Sequence, residues 1–146
     1  MFNKFKHIKN EKGLTLIELL AVIVILAIIA AIAIPAIGNI IENSRYNAAK
    51  SDAINVLSAA NIYFTDNGDK TEVTVEDLKK DGYLESEGKV EKEAKIKKAT
   101  DGNGNTIDTA ITYSGSKKLT LTAATVKMIS EDKQKGSGEG PTISAK

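Results

Sequence analysis

From Leu19 to Ile34 the chain carries no polar side chain, and the apolar run extends with few interruptions from Leu14 to Ile41. Those 28 residues span about 42 Å as a helix at ~1.5 Å per residue. That exceeds the roughly 20 residues needed to cross a bilayer core, so the segment can span a membrane and still project from it. After Ile41 the pattern changes. Tyr46, Ala49, Ala53, Val56, Ala60 and Tyr63 recur at three- and four-residue intervals, and Leu57 and Phe64 widen the stripe. Arg45, Lys50, Asp52 and Asn55 fall mostly off it. This period predicts one long helix from near Thr15 to about Thr65, amphipathic in its second half and ended by the "DNGD" of Asp66 to Asp69.

Beyond that point the elements shorten, and the pattern is that of a small α+β head. Thr74, with Asp77 three residues on and Gly82 beyond, predicts a short capped helix. In "KVEKEAKIKKA", Val90, Ala94 and Ile96 fall on one face that Lys92 interrupts, which predicts an edge strand, with a helix as the alternative. "TIDTAITY" sets Ile107, Thr109, Ile111 and Tyr113 on one side, and "KLTLTA" does the same with Leu119, Leu121 and Ala123. The intervening Ser114 to Ser116 suits a hairpin. "TVKMI" is expected to add a strand. Residues 135–146 hold Gly136, Gly138 and Gly140 and are expected to form a mobile tail. The fold class that follows is a long N-terminal helix packed on a small antiparallel sheet.

Charge orients the apolar segment. Residues 1–13 hold four lysines against one glutamate, a net of +3, whereas Glu42 and Arg45 nearly cancel on the far side. The positive-inside rule leaves the leader in the cytoplasm and exports the rest. The whole-chain net charge of +1 gives no nucleic-acid footprint. With no cysteine, the chain has neither disulfides nor thiolate metal sites.

Glu18 is the odd residue, a carboxylate near the start of a lipid-compatible run. In a cleaved signal peptide the run is too long, although "AIA" at Ala31 to Ala33 has the small-x-small form of a cleavage site. In a plain signal anchor, an acid within hydrocarbon costs about 2.5 to 3.5 kcal/mol unless it lies near the interface or is paired.

"KGLTLIELLAVIVILAIIAAIAIPAIGN" resembles the N-terminus of type IV prepilins, the family of major pilins, minor pilins and the pseudopilins of type II secretion and competence machines. The resemblance covers the first quarter to third of the chain. It implies a basic leader, residues 1–13, cut after Gly13 by a membrane prepilin peptidase that then methylates the new amino terminus at Leu14. Leu14 stands where the family usually has Phe. The family acid falls at Glu18 and the helix-bending proline at Pro35. The resemblance also implies a type IV pilin-like fold, with residues 14–41 as the transmembrane and assembly half of the helix, 42–66 as its amphipathic half, and 67–134 as the head. Its implied partners are the peptidase, other copies of the chain and minor pilins, the pilus assembly platform, and the cytoplasmic membrane before assembly. Physically, the amine freed at Leu14 and a neighbour's Glu18 form a pair that is cheaper to bury than either charge alone. The expected function is that of a structural subunit of a type IV pilus or related surface filament. The alternatives are a competence or type II secretion pseudopilin, or a tethered binding module that does not polymerise.

Two features bear on other chemistry. Asp101, Asn103 and Asn105 have the spacing of the first oxygen ligands of a calcium loop, but Thr106 and Thr112 occupy the places of its glycine and bidentate acid. A Gly/Asn turn between strands is the simpler expectation. His7 is the single histidine and lies in the leader, so a processed chain has no histidine-based triad or metal cluster. No cofactor and no enzymatic activity are expected.

Overall fold

The computed structural model describes the backbone of residues 2–145 and the side chains of residues 15–145. Two compact units divide it, one ending at Gly38 and the other beginning at Asn39. Helix α1, Phe2–Asp66, contributes to both and contains Pro35. It starts well before Thr15, because the backbone of residues 2–14 is helical as well. At its far end, the backbone and side-chain amides of Asn67 both donate to the Tyr63 carbonyl, at 2.8 and 2.9 Å. These bonds satisfy a carbonyl that the stopped helix would leave without a partner.

In the second unit, the helical stripe supplies one wall of the core. Tyr46, Ala49, Ala53, Val56, Leu57, Ala60, Tyr63 and Phe64 are all buried, as the period requires. The opposite wall is a five-stranded sheet of order β1-β2-β3-β4-β5. Its strands are β1 (Glu72–Thr74), β2 (Lys95–Lys97), β3 (Thr106–Ser114), β4 (Lys117–Ala124) and β5 (Thr142–Ser144). Neighbours are antiparallel except β4 and β5, which run parallel. Val73, Ile96, Ile107, Ile111, Leu119 and Leu121 face the helix in one continuous cluster. Each such side chain, taken fully out of water, contributes roughly 1.5–3 kcal/mol. Tyr46 of α1 and Tyr113 of β3 meet with ring centroids 5.4 Å apart. The arrangement is α+β and pilin-like.

Helix α2, Val75–Lys80, is capped as its sequence predicts, with the Thr74 hydroxyl accepting from the Asp77 amide at 3.2 Å. Gly82 follows it at φ +82°. The β3–β4 hairpin turns through Gly115, at φ +56°, and Ser116.

Five expectations for the head are corrected. The strand within residues 89–99 is confined to Lys95–Lys97 and is internal, because β1 pairs along its other side. Val90 and Ala94 are buried through turns that precede it. "TVKMI" forms helix α3, Val126–Glu131, because the Thr125 hydroxyl caps it by accepting from the Met128 amide at 3.3 Å. Ala123 leaves the inner face at a bulge with φ +47°, and Ala124 takes the buried place opposite Ile107. The Ala123 amide donates to the Asp108 carboxylate at 2.7 Å. Residues 135–145 are packed: β5 extends the sheet, Ile143 is 6% exposed, and the parallel pairing makes the sheet only mostly antiparallel.

Candidate processing and assembly site

Helix α1 carries Gly13, Leu14, Glu18 and Pro35 on one continuous helical backbone. The side chains of residues before Thr15, including Leu14 and His7, lie outside the described residues. In an α-helix each amide donates to the carbonyl four residues back, so the amides of residues 14–17 depend on acceptors in residues 10–13. A cut after Gly13 removes those acceptors. It would leave a charged amine at Leu14 and amides in the new first turn, at Leu16 and Ile17, without intrahelical acceptors. Glu18 would then lie in the first turn of the helix, on the same face as residue 14 and about 6 Å along the axis. There the helix dipole favours a carboxylate.

Among the described residues of this stretch the large apolar side chains are exposed. Leu16, Ile17, Leu19 and Leu20 are each more than half exposed, and so are Ile32, Ile34 and Ile40. The Glu18 side chain is exposed, with no hydrogen bond or ion pair among the described residues. A side chain added at Gly38 would meet no atom within 4 Å. Pro35 has no amide for the Ala31 carbonyl, which loosens the helix locally. An unbroken exposed apolar surface needs a non-aqueous environment or another apolar surface against it.

Residues 8–34 match the family described as the prokaryotic N-terminal methylation motif. They are a prepilin-type segment. The prepilin-type segment belongs to structural pilin-type proteins, which are not enzymes. It goes with processing by a prepilin peptidase and with assembly into filaments. Together with the apolar helix it points to membrane anchoring. Neither a curated protein nor a solved structure matches the chain.

In the head, Asp101, Asn103 and Asn105 share a loop in which the Asp101 and Asn105 oxygens accept from the loop's own donors. The Asp101 carboxylate accepts from the Asn103 amide at 3.2 Å and from its side chain at 2.7 Å. Those bonds, the backbone one foremost, hold the Asp101 carboxyl below the usual carboxylate range. Asn105 accepts from the Ala99 amide at 2.8 Å and donates to the Asn61 side chain on α1. Among the described residues, no group of three or more His, Cys, Asp or Glu is placed to hold a metal. The loop is a hydrogen-bonded turn tied to α1.

Sequence reasoning missed one polar constellation. The Tyr46 hydroxyl donates to the Asp132 carboxylate at 2.5 Å, and the Lys50 ammonium reaches the same oxygen at 3.3 Å. Burial, then the hydrogen bond to Asp132 and its negative charge, pushes the Tyr46 hydroxyl far above its ordinary value. Burial alone would raise the Asp132 carboxyl, but the bonds from Tyr46, Gln134 and Lys50 prevail and hold it below the usual range. No spacing signal joins residues so distant in sequence, and none was available to find them.

Proposed function

We propose that the chain is a pilin-like structural subunit, cut after Gly13, N-methylated at Leu14 and polymerised through α1 into a type IV pilus or related surface filament. The prepilin-type segment at residues 8–34 carries this reading, because the leader glycine, Glu18 and the uncovered apolar run fall in one register. Before cleavage the apolar helix rests in the cytoplasmic membrane with the basic leader inside. Assembly exchanges lipid for neighbouring helices. The freed amine of an incoming subunit meets a Glu18 carboxylate, and a position without that partner is disfavoured by an unpaired buried charge. Glu18 thus sets the axial register of docking. Pro35 and Gly38 relax the helix where packing needs it.

Glu18→Ala tests the role of the acid. Its membrane fraction should still be cut after Gly13, while its share in sheared surface filaments falls by about a hundredfold to a few thousandfold, since stranding one partner of a buried pair costs about 3–5 kcal/mol. A cleaved variant recovered in filaments at the parent's level would remove the assembly reading and leave a plain membrane tether. Electron microscopy of the sheared material separates long pili from short pseudopili.

A further inference from the structure

From Asp132 to Ala145 the chain is mostly irregular, with one three-residue strand, and only Ile143 of its residues joins the apolar core. Polar contacts supply the other fastenings, and they converge on one face of α1. Asp132 is gripped by Tyr46 and Lys50, and Lys50 also donates to the Asp132 carbonyl at 3.1 Å. The Ser137 amide donates to the Asn43 side chain at 3.1 Å. Lys117, paired with Glu42 at 2.8 Å, donates to the Ser137 carbonyl at 3.0 Å. The Tyr113 hydroxyl donates to the Gly136 carbonyl at 2.8 Å. Gly136 lies so close to α1 that a β-carbon there would sit 2.7 Å from the Glu42 carbonyl oxygen.

Such a segment differs physically from the rest of the head. Opening it returns most of its polar groups to water, so each hydrogen bond counts for little net, and the apolar surface exposed is confined to Ile143 and the Tyr46 and Tyr113 rings beneath the segment. Apart from those two rings, the core built from α1 and strands β1 to β4 stays buried. These are the conditions under which part of a fold opens without the whole. Asp132 has the most to lose, because its side chain is 6% exposed and accepts from Tyr46, Lys50 and Gln134. Gln134 in turn donates to the Thr142 carbonyl at 2.9 Å, linking Asp132 to β5.

We propose that residues 132–145 form a strap that detaches as one unit from an otherwise intact head, with Asp132 as the catch that holds it shut. Opening frees the outer edge of β4, where the Thr120 amide now donates to the Pro141 carbonyl at 3.0 Å. It also uncovers Tyr46 and Tyr113, each 1% exposed in the closed form. An unpaired strand edge beside two aromatic rings is a surface the closed head does not offer.

Hydrogen–deuterium exchange of the full chain in detergent micelles, read by mass spectrometry, tests this. In the parent, the amides of Thr120, Gly138 and Ala145 should exchange together and well before those at the centre of β3. Asp132→Ala should speed that group by about tenfold to a hundredfold and leave β3 unchanged. Tyr113→Phe, which keeps the ring and removes the bond to Gly136, should speed the same group to a smaller degree and guards against misfolding of the first variant. Strap amides that exchange at the rate of β3 in the parent would overturn the proposal, as would variants that accelerate strap and β3 equally.

Discussion

Gly88 is the position at which one methyl group has the most legible consequence. It has φ +59°, and a β-carbon there would lie 2.3 Å from the Asp52 carboxyl carbon and 2.4 and 2.5 Å from its oxygens. The same carboxylate accepts from the Lys89 amide at 3.0 Å, which ties the loop before Val90 to α1. Gly88→Ala therefore acts twice. Holding an L-residue in the left-handed region costs about 1–2 kcal/mol. Swinging Asp52 away forfeits an exposed hydrogen bond to a carboxylate, which adds about 1 kcal/mol. The expected loss is about 2–3 kcal/mol. Urea denaturation of the full chain in detergent, followed by the near-ultraviolet dichroism of its four tyrosines, measures it. Combining Asp52→Ala with Gly88→Ala should add almost nothing, because the bond is already lost, giving a non-additivity of about 1 kcal/mol. A single-variant loss below about 0.5 kcal/mol, or full additivity within the error typical of independent sites, refutes the reasoning.

Thr125→Ala removes the cap of α3 and should cost about 1 kcal/mol in the same denaturation experiment; an unchanged midpoint would mean that the cap contributes nothing. Ala123→Gly relieves a positive-φ alanine, φ +47°, and should leave stability unchanged or raise it by up to about 1 kcal/mol. A loss larger than that would show that the bulge does not strain its backbone. Tyr46→Phe carries a pH signature. The folded hydroxyl titrates above its ordinary value of 10.0, so its stabilisation is complete below that value and is lost as pH rises through the folded one. Thermal midpoints of parent and variant should differ most below pH 10 and converge above it, whereas a constant offset would contradict the assignment.

The long helix was legible because its two signals are periodic and strong: an apolar run that no soluble helix needs, and a stripe from Tyr46 to Phe64 at helical spacing. Strands β3 and β4 were legible for the same reason, with Ile107, Ile111, Leu119 and Leu121 alternating inward. Short elements were not. β1 offers one apolar residue, Val73, and β5 offers one, Ile143, so their existence depends on a neighbouring strand edge and not on their own pattern. Helix α3 was misjudged because its β-branched residues favour strand locally, while the Thr125 cap and the packing of Ile129 decide for helix. Ala123 moved for a similar reason, since Asp108 fixes a bulge that alternation does not encode. The fastening of the C-terminal segment joins Asp132 to Tyr46 across most of the head, and only the fold brings them together. The N-terminal methylation motif at residues 8–34 is different: its features are spaced along one helix, which sequence displays directly.

Intact-mass measurement with N-terminal fragmentation, on protein from the membrane of a host that has a prepilin peptidase, tests the central claim most directly. The account predicts a chain beginning at N-methylated Leu14. A chain that retains Met1, or one that begins after Ala33, would contradict it.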